Sequence, residues 1–144
     1  MTEPTAAEVA QIETEVVAAM ETSLEGCRRL DPTMAMEPYH PTKTAYAWTD
    51  VPLDYSGTSA MMTAVLGDLK SAEIALVATT VRVLSRDAAV FQGVYETTQY
   101  RKDGTVLRLP GKATWTCLAE KTDEGWKITV GANSYGEPEI TTEA

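Results

Sequence analysis

Apolar residues at Val9, Ile12, Val16, Ala19, Met20 and Leu24 recur in steps of three and four, which makes one stripe along a helix. Glutamates at 8, 13, 15 and 21 take the other side. The pattern predicts a helix over residues 5–29, with Pro4 in its first turn and Gly26 near its end. Asp31-Pro32 predicts a second, short helix, with Asp as cap and Pro at the first helical position. It stops before Pro38. A short strand is expected at 44–49, then a loop over 50–57. Ser56 or Thr58 can cap a third helix ending near Leu69, with Met61, Met62, Val65, Leu66 and Leu69 as its apolar face.

After Leu69 the period changes from 3.6 to 2, the signature of strands. Strands are expected at 72–84, 88–101, 105–121 and 126–135. The turns between them are Ser85-Arg86-Asp87, Lys102-Asp103-Gly104 and 122–125, and Asp-Gly is a favoured hairpin pair. Pro110-Gly111 marks a bend or bulge. Residues 136–144 are polar, and a flexible tail is expected over 137–144. Helices gathered before a four-strand antiparallel meander define an α+β domain, and residues 1–144 read as one such domain.

Composition narrows the functions. Of 144 residues, 21 are acidic and 12 basic, a net charge of -9. That balance repels phosphate backbones and anionic membrane surfaces, so neither nucleic acid nor membrane is expected as a partner. No apolar run approaches the roughly 20 residues that span a bilayer. The acidic N-terminus lacks the features of a secretory leader, and a cytoplasmic location is expected. Cys27 and Cys117 fit no CxxC spacing and read as two buried thiols. His40 is the only histidine, too few for a His-rich metal site. There is no P-loop, no GxGxxG and no GxSxG, so no cofactor is expected.

The run Val81-Arg-Val-Leu-Ser-Arg-Asp-Ala-Ala-Val-Phe-Gln-Gly-Val-Tyr95 resembles the strand–turn–strand of SnoaL-like domains. Asp103-Gly104, Thr116, Asp123-x-Gly-Trp-Lys-Ile128 and Ser134 resemble the closing pattern of the same group. The resemblance, to SnoaL-like and nuclear transport factor 2-like proteins, spans residues 81–134 by motif and nearly the whole chain by element order. It implies a cystatin-like cone, with N-terminal helices in the concavity of a strongly curved, mostly antiparallel sheet. It also implies a pocket at one end and a homodimer formed through the sheet. The superfamily holds isomerases, cyclases, dehydratases, hydrolases and non-catalytic association domains, so fold does not select function.

Asp50, in Ala47-Trp-Thr-Asp-Val-Pro52, resembles the place where ketosteroid isomerases carry a general-base carboxylate. Apolar walls raise a carboxylate's pKa toward neutrality, as proton abstraction needs. As an alternative, Asp50 is a solvated loop residue. His40 or Tyr95 would serve as proton donor or orienter beside it, while the residues themselves favour a hydrogen-bonded structural role for His40. Arg82, within an apolar strand, either clamps a carboxylate or lies on the exposed face. Tyr46, Trp48, Tyr55 and Trp115 are the expected aromatic walls for a small hydrophobic molecule. Against catalysis, the first helix offers no Tyr. The last strand, where family members often carry histidines, carries Val130 and Ala132. Two functions follow as expectations. One is a small-molecule-binding domain, with or without cofactor-free isomerase, cyclase, dehydratase or hydrolase chemistry. The other is a non-catalytic dimerisation or binding module.

Overall fold

Helix α1 (Ala6–Arg28) begins with a reciprocal cap. Thr5 Oγ1 accepts the Glu8 N–H at 3.2 Å, and Glu8 Oε1 accepts the Thr5 N–H at 3.1 Å. Pro4 therefore stands before the cap and not inside the first turn, because the Thr5 hydroxyl sets the start. The computed structural model describes residues 2–136, so the expected tail at 137–144 lies outside the described residues. The stripe Ile12, Val16, Met20 and Leu24 is buried. Ser23 is buried with it and donates to the Ala35 carbonyl at 2.7 Å. That bond ties α1 to α2 (Pro32–Met36), whose cap Asp31 accepts the Met34 N–H at 3.1 Å.

Strand β1 (Ala45–Trp48) falls where the sequence predicts a strand, but the expected loop after it does not exist. Residues Val51–Asp54 form β2, an antiparallel partner to β1. Pro52 fits there because β2 is the sheet's edge and its missing N–H removes no ladder bond. Helix α3 (Tyr55–Asp68) is capped by Asp54, whose Oδ1 accepts the Gly57 N–H at 2.7 Å. Thr58, an expected cap, instead lies buried in the first turn and donates to the Asp54 carbonyl at 2.7 Å.

Strands β3 (Leu69–Ser85), β4 (Ala88–Arg101), β5 (Val106–Thr122) and β6 (Gly125–Tyr135) form the expected meander. β1 joins β6 in parallel, with Ala45 opposite Val130 and Trp48 opposite Asn133. The full order is β2-β1-β6-β5-β4-β3. Bulges bend this sheet around the helices. One is the predicted irregularity at Pro110-Gly111: Thr97 pairs with Gly111, but Gln99 pairs with Arg108. Another lies at Thr129, since Leu118 pairs with Val130 and Ala119 with Ile128.

The Thr129 bulge changes which residues of β6 face inward. Trp126 and Ile128 are buried before it, and Gly131 and Asn133 after it. Val130 and Ala132 point to the outer face, with Val130 51% exposed. The positions compared with histidines from sequence are thus outward ones, because the extra residue resets the alternation. The core fills the space between the helices and the inner sheet face, with Val16, Met20, Leu69, Phe91, Cys117 and Ile128 fully buried. Phe91 and Trp115 meet edge to face at 5.6 Å.

Candidate functional site

Toward the C-terminal end of α1 the core does not close. A cavity of about 50 Å³ lies between α1, α3 and the sheet. Ser23, Leu24 and Cys27 bound it from α1, and Met62, Val65 and Leu66 from α3. The sheet supplies Tyr46 and Trp48, Tyr95 and Gln99, Trp115, and Asn133 and Tyr135. Tyr39, Ala72 and Ile74 complete it. Period 2 explains the pairs: Tyr46 and Trp48 lie two apart on β1, with ring centroids at 6.4 Å. Tyr39 packs edge-on to Tyr46 at 5.5 Å.

No Asp, Glu, His, Lys or Arg stands among the described lining residues. The walls are instead neutral. Burial pushes the Tyr39 and Tyr46 phenols well above their ordinary pKa. Burial does the same to Tyr95, helped by Tyr135 and opposed by the Asn133 side chain. The Cys27 thiol is pushed by burial up to about 11, with Arg28 opposing. Burial likewise raises Cys117, with Trp115 opposing. Among the described residues the Trp115 indole N–H meets no acceptor in hydrogen-bond geometry; the Cys117 thiol, two residues along the same face, is only a weak sulfur neighbour. At neutral pH the cavity therefore presents hydroxyl, amide, thiol and indole groups and no formal charge.

Asn133 is fixed from outside the cavity. Its backbone carbonyl and its Oδ1 accept the Thr49 N–H at 3.1 and 3.3 Å. Thr49 has a φ of 58°, a left-handed conformation that a β-branched residue rarely adopts. With Oδ1 taken, the amide NH₂ is the group left for Tyr95.

The structure brings Tyr46, Trp48, Tyr95 and Trp115 together as cavity walls. It does not place the other candidates there. Asp50 sits in the exposed two-residue turn between β1 and β2, outside the lining. The hairpin carries it away from the apolar walls of the cavity. His40 lies at the other end of β6: its N–H donates to the Ile128 carbonyl at 2.9 Å. Asn133 lies five residues on, about 17 Å along a strand. The His40 Nδ1 accepts the N–H groups of Thr42 and Lys43, both at 3.2 Å, which closes a local turn. Tyr55 opens α3 and packs half-buried against the core, not the cavity. Arg82 is exposed on β3, opposite Val90 of β4.

Sequence reasoning missed Ser23, Cys27, Gln99 and Asn133. Asn133 and Tyr135 share a face by alternation, and that signal was readable. Tyr39 precedes β1 outside any period, so its packing against Tyr46 comes from the fold. Among the described residues no cluster of three or more His, Cys, Asp or Glu could hold a metal, and no helix is long and apolar enough to cross a membrane.

The helices cradled by a curved, mostly antiparallel sheet define a nuclear transport factor 2-like fold. Within that class, the calcium/calmodulin dependent protein kinase II association domain family matches residues 12–134, and the chain belongs to it. A protein from Xanthomonas campestris named for the same association domain is similar in structure, at 25% identity and a TM-score of 0.71 over 88% of each chain. A nuclear transport factor 2-like superfamily protein from Salmonella enterica serovar Typhimurium is 18% identical, with a TM-score of 0.76 over 93% of this chain and 96% of that one. A ketosteroid isomerase-like protein from Erwinia carotovora is also 18% identical, with a TM-score of 0.71 over 87% of this chain and 96% of its own. No curated protein matches the sequence.

Proposed function

We propose that residues 1–144 act as one small-molecule-binding domain that also associates with copies of itself. The observation that carries the binding reading is the cavity: aromatic walls with a few neutral polar groups, the composition of a site for a small apolar ligand. Reversible binding fits these walls better than acid–base turnover, since Asp50 and His40 lie elsewhere and the buried phenols and thiols hold their protons. The test is a titration of small planar aromatics followed by tryptophan fluorescence, with Trp48 and Trp115 in the walls. Ala72→Phe, which fills the cavity from β3, should abolish quenching. Equal quenching in that variant would place binding elsewhere and sink the reading. A compound turned over by the protein, with the rate lost in Asp50→Asn, would restore the enzyme reading.

Association is supported by a second observation. The family is named for association, and the outer sheet face carries Val130, Leu118 and Val90 in one row across three strands. A homodimer through this face is the arrangement we favour.

A further inference from the structure

The cavity is neutral, but a cation stands at its edge. Arg108, near the start of β5, is the register partner of Gln99 on β4, and Gln99 lines the cavity. Register partners stand about 5 Å apart, which puts Arg108 beside the cavity on the same sheet face. Its guanidinium carbon lies 3.9 Å from the centre of the Tyr135 ring, another lining residue. A groove of about 230 Å³ opens there, with Arg108, Lys112, Thr97 and Tyr135 on its walls. Tyr135 is common to groove and cavity. The Thr97–Gln99 pair, in which Gln99 Nε2 donates to Thr97 Oγ1 at 3.1 Å, completes the partition.

Arg108 is set apart from the other arginines. Arg28 and Arg29 each lie 2.8 Å from Glu25, Arg86 lies 2.7 Å from Glu8, and Arg101 lies 3.6 Å from Asp68. Arg82 is exposed to water. Arg108 has no carboxylate partner among the described residues, and its Nε is buried without an acceptor. A buried donor without an acceptor costs free energy that an incoming anion recovers. Among the described residues no carboxylate lines the groove. Lys112 also borders the groove, but its register partner is the exposed Glu96, so its side chain lies on the outer face with that carboxylate and Arg108 is the cation of the inner side. In a chain of net charge -9, a partly buried arginine without a carboxylate partner among the described residues is a local exception.

We propose that the ligand of the cavity is a small amphiphilic carboxylate. Its planar apolar body lies among Trp48, Tyr95 and Trp115, and its carboxylate passes Tyr135 to reach Arg108. A guanidinium fork matches a planar carboxylate better than it matches a neutral carbonyl, so the head group sets specificity. This inference rests on the cavity-binding reading, and its test separates the two.

The probes are 3-phenylpropionate and its neutral isostere 3-phenylpropanamide, titrated into the full chain with fluorescence and calorimetric readout. The acid should bind at least tenfold more tightly than the amide, and added salt should weaken the acid alone. Arg108→Gln should bring the acid down to the affinity of the amide and leave the amide unchanged. Arg108→Lys should keep part of the preference. Equal binding of acid and amide to the unaltered protein, or a preference that survives Arg108→Gln, overturns the carboxylate assignment and leaves the cavity reading standing. Binding of neither probe, or of both equally in Ala72→Phe, overturns both. If Arg108→Gln fails to fold, the acid–amide comparison and its salt dependence in the unaltered protein still decide.

Discussion

Two glycines on helices pose opposite problems. At Gly26, near the end of α1, a Cβ would stand 2.2 Å from the Ala35 backbone nitrogen. The contact is with backbone, so no side chain can swing aside, and α1 must separate from α2 to admit a methyl group. Gly26→Ala should lower stability by about 1–3 kcal/mol in urea unfolding, despite alanine's better helix propensity. It should also loosen the cavity wall, because Ser23 and Cys27 flank the same contact. At Gly67 in α3 a Cβ meets nothing within 4 Å. Gly67→Ala should therefore stabilise by up to about 1 kcal/mol in the same assay, through propensity alone. Opposite signs from one substitution type would confirm the helix crossing. If Gly26→Ala is neutral, the crossing is looser than drawn. Gly131 gives the same kind of information at the site: its missing Cβ leaves room for the Tyr46 ring, 2.7 Å from where that atom would be.

At the scale of elements, the first turn of α1 is locked to the β3–β4 turn. Arg86 Nε donates to Glu8 Oε2 at 2.7 Å, and its Nη2 donates to Glu8 Oε1 at 3.1 Å and to the Glu3 carbonyl at 3.2 Å. Arg86 holds the Glu8 carboxyl down to about 2, with the Thr5 backbone N–H assisting. A lowered folded-state pKa means stability that is present above the usual carboxylate value of 4.5 and is lost as pH falls toward 2. Glu8→Gln keeps an acceptor for the capping box but removes the charge. This variant should unfold with a shallower pH dependence between 4.5 and 2, by thermal melts across that window. An unchanged acid limb would show that the exposed pair contributes nothing. The elements also show what the sequence can and cannot reveal. The helices and the four-strand meander were legible because each is fixed by local period and local caps. Strand β2 was not, since Val-Pro-Leu-Asp lacks alternation and its pairing depends on an edge position. The parallel union of β1 with β6 joins residues more than 80 apart, which no local pattern encodes. The Thr129 bulge hid which face of β6 points inward, although the alternation that puts Asn133 and Tyr135 together on one face was readable. Tyr46 and Trp48 were readable as one wall because they stand two apart on a strand, Trp115 was expected as a wall from its aromatic ring, and Tyr95 was expected in the pocket as a proton donor or orienter. Asp50 was placed by resemblance alone, and the two-residue hairpin turns it outward.

At the scale of the whole molecule, the outer sheet face is the surface to question. Strands β3 to β6, at about 4.8 Å spacing and over the length of β6, the shortest at 11 residues, offer a convex area of about 700 Å². That is close to the roughly 800 Å² each partner buries in a standard interface. The face is poor in charge near its middle, where Val130, Leu118 and Val90 pair across the ladders. A chain carrying -9 repels its copies elsewhere, so association must use a neutral surface such as this one. Val130→Glu puts a carboxylate at the centre of the face, at a position already 51% exposed, so the single chain should fold as before. Analytical ultracentrifugation should show the unaltered protein as a dimer or larger assembly and Val130→Glu shifted toward one chain, with circular dichroism unchanged. Binding of 3-phenylpropionate should survive the shift, because the cavity lies on the opposite face of the sheet. If the shift abolishes binding, the mouth of the cavity is completed by a neighbouring copy, and association and ligand become one equilibrium. If both proteins sediment as single chains, the face is not an interface, and the exposure of Val130 needs another explanation.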